Sequence, residues 1–247
     1  MVGTTKPFLL LSIRAEPAAA EDEYASFLRF SGLTKAQLPL VRLAETELPA
    51  VDLDDWSGIL LGGGPWNASD AQETKSAAQR RSEEALAALL DDVVERDFPF
   101  LGACYGIGTL GLHQGGVVDR SCPEPVGPLS VTLTPEGRVD PVFAGVPEHF
   151  AAYGGHKESM LRLPAGAVQL ATSLACPVQA FRVGHHVYAT QFHPELDLTG
   201  VCTRIEVYKN AGYFDPGEAD TLKALSRAVE VRHPMTVLAN FVRLHAR

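Results

Sequence analysis

One cysteine lies in a sequence setting that suits a nucleophile. The apolar run Phe98–Leu101 predicts a buried strand. It leads into a Gly-x-Cys-x-Gly pattern at residues 102–106, and Ile107–His113 can form a helix. A strand, a tight turn and a helix with the nucleophile at the turn make a nucleophile elbow, and glycines on both sides relieve so sharp a bend. We therefore predict that Cys104 has strained backbone angles, at a helix N-terminus that favours the thiolate.

A free cysteine beside a glycine turn has a simpler interpretation. Such residues are commonly small buried hydrophobes. A cysteine that acts as a nucleophile also needs a base, and the base needs a group that orients it. The role of Cys104 therefore depends on what the rest of the chain can bring to it.

A histidine with a nearby carboxylate follows a later predicted strand, His186–Gln191. His193 lies just beyond the end of this strand, and Pro194 stiffens the loop. Glu195 can turn back to bond one imidazole nitrogen while the other faces the thiol. A single His-Pro-Glu turn is as typical of a solvent loop, but together with the elbow it predicts a catalytic triad of Cys104, His193 and Glu195.

An oxyanion hole would complete such a site. Elbow enzymes take one donor from the amide after the nucleophile, here Tyr105, and another from a neighbouring loop at a strand end. The run Gly62–Pro65 follows the predicted strand Gly58–Leu61 and offers amides without side chains in the way. Alone, this run would be an ordinary turn.

The elements that must position these residues predict an α/β fold. Apolar strands alternate with helical stretches in the first half, which favours a mostly parallel sheet covered on both faces. Ligands of such sheets bind at the carboxyl ends of the strands. After residue 116 short strands suggest a mixed or antiparallel extension, and the last ~50 residues return to helix. The predicted strands are 8–13, 38–43, 58–61, 98–101, 129–133, 150–153, 168–171, 178–183 and 186–191, and the predicted helices are 19–30, 70–96, one from 215 and 234–244.

Composition restricts the class of protein. With 247 residues, 46% of them hydrophobic, the chain can bury one large core. The net charge of −9 and the lack of a basic cluster argue against nucleic acid as a partner. No apolar run approaches the ~20 residues of a membrane span, and residues 1–7 lead into a strand rather than a signal peptide. Four cysteines without C-x-x-C spacing predict neither a metal site nor disulfides, and a reduced, cytoplasmic setting is expected.

With these motifs in this order, the chain resembles the class I glutamine amidotransferases. The resemblance covers nearly the whole length, and its pattern is similar to the amidotransferase portion of GMP synthase and to stand-alone relatives. The Phe-His-Pro-Glu signature is the most specific of the motifs that carry it. These motifs are Gly63–Pro65, the elbow at Cys104, Gly115–Val118, His156–Glu158 and Phe192–Glu195.

The resemblance implies a flavodoxin-like fold and a single amidotransferase domain over residues 1–247, with helices of 197–247 packed on it. It implies hydrolysis of the glutamine side-chain amide through a γ-glutamyl thioester on Cys104, without cofactor or metal. His193 would move the proton and Glu195 would orient it. The amides of Gly64 and Tyr105 would hold the oxyanion. Substrate contacts are assigned to Gly63, Gly108, His156 and Glu158.

Two departures from the family pattern affect the expected substrate and partner. The family elbow continues Cys-x-Gly-x-Gln, and that glutamine helps to hold the substrate, whereas this chain has Gly108. No nucleotide loop or P-loop is present, so either a separate synthetase subunit binds the ammonia acceptor or there is no acceptor. A homodimer is left open.

Two other functions are compatible with these residues. A γ-glutamyl peptidase or another Cys-His-Glu hydrolase could use the same scaffold, and Gly108 would favour it by leaving room beside the nucleophile. A regulatory module without turnover could keep the fold, although it would not need all three triad residues.

Overall fold

The computed structural model describes residues 6–247 and has an α/β architecture. Its strands are β1 (Phe8–Ser12), β2 (Leu40–Arg42), β3 (Gly58–Leu61), β4 (Phe100–Ala103), β5 (Val117–Asp119), β6 (Glu124–Leu133), β7 (His149–His156), β8 (Ser159–Arg162), β9 (Val168–Ser173), β10 (Ala180–Val183) and β11 (Val187–Thr190). Its helices are α1 (Pro17–Ser31), α2 (Ala77–Glu95), α3 (Tyr105–His113), α4 (Pro135–Val139), α5 (Leu198–Tyr208), α6 (Ala219–Ala228) and α7 (Pro234–His245). Residues 1–5, on which part of the signal-peptide interpretation depends, lie outside this range.

Within residues 6–247, nine strands form one sheet in the order β2-β1-β3-β4-β11-β10-β9-β6-β7. The first five of these run parallel, and the remaining four continue the sheet with antiparallel pairings. The predicted mostly parallel sheet with an antiparallel extension is therefore confirmed. A separate antiparallel pair, β5 with β8, packs beside α3.

Alternate side chains of the buried strands pack into two hydrophobic cores, one on each face of the sheet. Leu9 and Leu11 of β1 contact the core that includes Leu86 and Leu90 of α2. Phe8 and Leu10 face the other core, which includes Val237, Leu238 and Phe241 of α7 and Phe27 of α1. Because successive side chains of a strand point to opposite faces, strands that are apolar throughout require helices on both sides.

Several element bounds differ from the sequence prediction. Helix α2 begins at Ala77 rather than residue 70, because the Ser76 side chain accepts a hydrogen bond from the Gln79 amide and caps it there. A short 3₁₀ turn, Gln72–Thr74, precedes it. Strands β5 and β8 were not predicted, since three or four residues give too little pattern to recognise.

The carboxyl-terminal part is helical, as predicted. A 3₁₀ turn at Pro216–Glu218, capped by the Asp215 side chain, opens α6. Helix α7 packs on the sheet, where Phe241 contacts the rings of Phe8 and Tyr188 edge-on. Among the helices of residues 6–247, none combines the length and apolar character of a membrane span.

Candidate active site

Three neighbouring parallel strands bring the motifs to one edge of the sheet. Strand β4 lies between β3 and β11, with Leu61 paired to Gly102 and Ala103 paired to Thr190. Parallel strands in register end at the same edge. The loops that follow β3, β4 and β11 therefore carry the glycine run, Cys104 and His193 to a common rim.

Cys104 lies at the apex of a strained turn. Its φ is +53° and its ψ is −87°, in a region that non-glycine residues rarely adopt. Its amide donates to the Thr190 carbonyl at 2.7 Å. A Cβ atom on Gly102 would lie 2.8 Å from the Gly106 Cα, so the bend requires glycine at Gly102. A Cβ on Gly106 would meet only Leu61, at 3.7 Å, and this second glycine is not required by that collision.

Tyr105 begins helix α3 and anchors the elbow. Its hydroxyl donates to Glu83 Oε1 of α2 at 3.0 Å, and its ring packs edge-on against Trp66. The amide of a first helical residue has no acceptor within its own helix. This amide can therefore serve a ligand at the apex of the turn.

His193 and Glu195 form a buried hydrogen-bonded pair. His193 Nδ1 donates to Glu195 Oε1 at 2.9 Å, and the His193 amide donates to the Tyr153 carbonyl at 3.0 Å. His193 is 5% exposed and Glu195 is fully buried. Because Nδ1 carries the proton in this bond, Nε2 of the neutral ring is left as the base.

Gly63 shows how closely the cysteine and the histidine approach each other. A Cβ on Gly63 would lie 2.5 Å from His193 Cε1, 3.3 Å from His193 Nε2 and 3.0 Å from Cys104 Cβ. The glycine run thus passes directly over both side chains. No hydrogen bond joins the thiol to the imidazole among residues 6–247, as is common in enzymes without substrate.

Two buried arginines lie close to the His193–Glu195 pair. Arg204 of α5 donates to the same oxygen, Glu195 Oε1, at 2.7 Å and approaches Glu23 at 3.7 Å. Arg14 donates to Glu23 Oε1 at 2.8 Å and to the Tyr208 hydroxyl at 3.0 Å. The cations of Arg204 and Arg14 thus alternate with the carboxylates of Glu195 and Glu23.

The environment sets the protonation states of the resting site. Burial raises the pKa of the Cys104 thiol to about 12, against the opposing effect of Arg14. Burial also lowers the pKa of His193, while Glu195 acts to raise it. Burial alone would raise the pKa of Glu195, but His193 and Arg204 hold it well below its ordinary value.

The expectation of a resting thiolate is therefore corrected. The helix N-terminus of α3 favours the anion, whereas desolvation at Cys104 opposes it and raises the pKa of the thiol. Desolvation at Cys104 and at His193 thus opposes a thiolate–imidazolium pair in the resting site.

A small cavity lies over Cys104. Its volume is about 40 Å³, whereas pockets that hold small ligands measure about 300–1,000 Å³. Tyr213 and Phe214, between α5 and α6, form part of its wall. The other lining residues are Arg14, Gly64, Cys104, Val126, Gly154, Gly155, His193, Leu196, Val201, Arg204 and Tyr208. The cavity as it stands does not accommodate glutamine.

The segment 209–215 closes the cavity through few contacts, and we call it the Tyr213 segment. The Tyr213 hydroxyl donates to the Gly64 carbonyl at 3.4 Å. Lys157 donates to the Ala211 carbonyl at 3.0 Å and lies 4.2 Å from the centre of the Tyr213 ring. Phe214 anchors the segment against the cluster that includes Val201 and Ile205, whereas the polar bonds lie at the surface.

Gly108 does not leave room beside the nucleophile, which corrects the sequence interpretation. A Cβ there would lie 2.6 Å from Glu158 Oε1 and 3.2 Å from the Ala68 Cβ. The Glu158 carboxylate accepts bonds from the Ala68 amide and from the amide and hydroxyl of Ser69, at 2.7–2.9 Å. Glu158 thus fills the space and fixes the loop after the glycine run.

His156 is placed away from the cavity. Its Nδ1 bonds the Glu158 carbonyl and its Nε2 bonds Glu124 Oε2, both at 2.8 Å. The polar atoms of His156 and Glu158 are therefore bonded to other protein groups. None of the four residues predicted to contact the substrate, Gly63, Gly108, His156 and Glu158, lines the cavity.

The one cluster of metal-ligand types in residues 6–247 is Glu124, His156 and Cys176, whose candidate atoms lie within 4.8 Å of one another. Ser173 donates to Glu124 Oε1, Gln179 donates to Oε2, and the Cys176 thiol donates to the Val178 carbonyl. Each group already has a protein partner, so the cluster fits a buried hydrogen-bonded network better than a metal site.

Three residues of the site carried no signal in the sequence. Arg14 follows an ordinary strand, Arg204 lies within a helix, and Tyr213 lies in a loop. None belongs to a motif with fixed spacing. Only the folded chain brings them to Cys104.

Comparison with known proteins gives the same family as the motifs. The family model for glutamine amidotransferase class-I matches residues 29–205. A glutamine-hydrolyzing GMP synthase subunit of Thermoplasma volcanium is 30% identical over 172 residues, which is 67% of this chain and 77% of that protein. The corresponding subunit of Methanocaldococcus jannaschii is 31% identical over 143 residues, or 58% of this chain and 66% of that protein.

Solved structures share the fold at low sequence identity. The crystal structure of SMU.1228c covers 96% of this chain and 98% of its own, with a TM-score of 0.74 and 20% identity. A glutamine amidotransferase from Thermotoga maritima covers 95% and 98%, with a TM-score of 0.70 and 20% identity. Since the family model spans more than half of the chain and the motifs lie on one rim of the matching fold, the chain belongs to the class I glutamine amidotransferase family.

Proposed function

We propose that the chain hydrolyses the side-chain amide of glutamine to glutamate and ammonia, with Cys104 as nucleophile, His193 as proton carrier and Glu195 as its orienting group. The observation that carries this is the Nδ1–Oε1 bond of 2.9 Å between His193 and Glu195, on a ring that Gly63 holds beside Cys104. This is the arrangement of nucleophile, base and orienter.

The reaction follows from the resting protonation states. As Cys104 Sγ attacks the amide carbon, its proton passes to His193 Nε2. The carbonyl oxygen becomes an oxyanion, for which the amides of Tyr105 and Gly64 are the proposed donors. His193 then returns the proton to the leaving nitrogen, which departs as ammonia and leaves a γ-glutamyl thioester.

Water completes the cycle. His193 Nε2 takes a proton from a water molecule as its oxygen attacks the thioester carbon. The second tetrahedral intermediate collapses, the C–S bond breaks, and the proton returns to the sulfur. Glutamate leaves with the thiol and the neutral imidazole restored.

The ammonia acceptor is proposed to be on a separate protein. The relatives that match over more than 70% of their own length include glutamine-hydrolyzing GMP synthase subunits of two Thermoplasma species. The match to the GMP synthase of Thermosipho africanus covers only 29% of that longer protein. A synthetase subunit is therefore the proposed partner, and we propose that residues 1–247 act as one amidotransferase domain with 197–247 packed on it.

No observation favours the γ-glutamyl peptidase over the glutaminase. The space that Gly108 would have left for a larger substrate is filled by Glu158. A regulatory module gains no support either, because the hydrogen bond between His193 and Glu195 is formed and buried.

A substrate panel tests the proposal. Glutamine, a γ-glutamyl dipeptide and a γ-glutamyl amine are each incubated with the chain, and ammonia, glutamate and the thioester on Cys104 are measured by mass spectrometry. Glutamine should give both products and the adduct, and Cys104→Ala should give none. Cys202→Ala, a part-exposed cysteine on α5, is the control and should keep wild-type turnover. Turnover by Cys104→Ala, or an adduct from the dipeptide alone, would contradict the proposal.

A further inference from the structure

Glu195 serves two partners with a single oxygen. Its Oε1 accepts from His193 Nδ1 at 2.9 Å and from Arg204 Nη2 at 2.7 Å. The other oxygen, Oε2, is buried and has no hydrogen-bond partner within residues 6–247. The negative charge that would stabilise a protonated His193 is therefore shared with a permanent cation.

We infer that Arg204 is a positioning residue of the reaction, which fixes the carboxylate of Glu195 and limits the positive charge that His193 can hold. This inference rests on the proposed function, because it assigns Arg204 a part in the same proton transfer. Arg204 also lines the cavity over Cys104, but the inferred role is exerted through Glu195.

The setting of Arg204 allows it little freedom. It projects from α5, is 6% exposed, and lies 3.7 Å from Glu23. Glu23 is in turn held by Arg14 Nε and by the Ser12 hydroxyl, both at 2.8 Å. The Nε and Nη1 atoms of Arg204 have no hydrogen-bond partner in the described part of the chain. The hydrogen bond to Glu195 is therefore the one that orients the guanidinium, and Glu23 lies farther away.

The charges that face His193 come from several elements. Glu195 lies on the same loop as His193, Arg204 on α5 and Arg14 after β1. Glu23 of α1 lies next to both arginines. Glu195 favours the imidazolium, whereas Arg204 and Arg14 disfavour it. Cys104 and the His193 ring both lie next to Gly63.

The chemical consequence is a weakly basic histidine that releases its proton readily. A neutral His193 can take the thiol proton only as the sulfur attacks. A less basic imidazole makes a stronger acid when protonated, which suits proton transfer to the leaving ammonia. Removing the cation should leave Glu195 fully available to the imidazolium, so the pKa of His193 should rise.

Three variants separate charge from structure. Arg204→Met removes the cation, Arg204→Gln removes it but keeps a donor for Glu195, and Arg204→Lys keeps the charge. Arg29→Met is the matched control, because Arg29 pairs with Asp197 at the start of the same helix and does not contact the triad. Thermal unfolding of each protein establishes that it is folded.

The readout is the pH dependence of kcat/KM for glutamine, together with the NMR titration of the His193 imidazole. In Arg204→Met and Arg204→Gln the acid limb should move up by about one pH unit, with kcat lowered about 10-fold and KM nearly unchanged. Arg204→Lys should keep the acid limb within a few tenths of wild type and recover part of kcat. Arg29→Met should match wild type.

An equal loss at every pH, or an unshifted acid limb in Arg204→Gln, would overturn the inference. If Arg204→Met does not fold, Arg204→Gln decides. The NMR titration of His193 requires no turnover, so the shift remains measurable even if glutamine is not the substrate. Failure of the proposed function would instead appear as turnover in Cys104→Ala.

Discussion

A Cβ atom on Gly108 would lie 2.6 Å from Glu158 Oε1, although the two residues are on different elements of the chain. Contacts below 3.0 Å require one group to shift. Glu158 is 5% exposed and accepts three hydrogen bonds from residues 68 and 69, so its carboxylate cannot swing away freely. The glycine is thus matched to a fixed buried carboxylate.

Gly108→Gln should therefore weaken the protein and should not tighten glutamine. Displacing Glu158 loses hydrogen bonds to a charged group, about 1–3 kcal/mol, against the ~1 kcal/mol that a helix gains by replacing glycine. We expect a lower urea midpoint and an unchanged or higher KM for glutamine. A lower KM with unchanged stability would contradict this.

A double-mutant cycle isolates the contact. Glu158→Ala alone should destabilise the chain, because the Ala68 and Ser69 amides lose their acceptor. Adding Gly108→Ala to that background should then cost less stability than in the wild type, since the collision with the carboxylate is gone and the 3.2 Å contact with the Ala68 Cβ remains. Additive losses in the double variant would show that the two residues are not coupled.

Cys104 should react slowly with iodoacetamide at pH 7 in the free protein. Burial raises the pKa of its thiol to about 12, so the thiolate fraction is small and the rate should increase with pH up to at least pH 9. Cys122 and Cys202 are also part-exposed and serve as internal references. Peptide mapping after timed labelling measures all of them together. A rate for Cys104 that reaches a plateau near pH 7 would indicate a resting thiolate instead.

Much of the fold and of the rim follows from local sequence. Strands that are apolar throughout, such as Gly58–Leu61, predict burial on both faces, and glycine motifs after them mark the strand ends. The elbow at Cys104 and the turn at His193 were predictable for this reason. Each depends on residues within a few positions of one another.

What escaped prediction depends on residues far apart in the chain. The side chain of Glu158 fills the space beside Gly108. The protein packed around Cys104 raises the pKa of its thiol. Arg204 reaches Glu195 only because α5 packs against α1. No spacing rule relates such residues, so a sequence pattern cannot report them.

Opening the Tyr213 segment should expose Cys104. The cavity of about 40 Å³ is too small for glutamine, and Tyr213 both lines it and bonds the Gly64 carbonyl. Tyr213→Ala should enlarge the entrance, speed iodoacetamide labelling of Cys104 about 10-fold or more and lower KM for glutamine. Leu225→Ala is the control, since Leu225 is an exposed apolar residue on α6 outside the cavity. Equal labelling rates in wild type and Tyr213→Ala would show that access is not limited by this segment.

Glu195→Gln should preserve the fold and lower kcat by about 10-fold or more. The neutral amide cannot stabilise the imidazolium that forms during attack, and its NH₂ group can present a donor to His193 Nδ1 and favour the wrong tautomer. His193 and Arg204 hold the pKa of Glu195 well below its ordinary value, so the wild-type carboxylate is charged from pH 5 to pH 9. Because Glu195 does not titrate in this range, the difference in kcat between the wild type and Glu195→Gln should persist at both ends of it. The measurement is kcat for glutamine from pH 6 to pH 9, with circular dichroism to check the fold. Wild-type rates across this range would make Glu195 a structural partner of Arg204 alone.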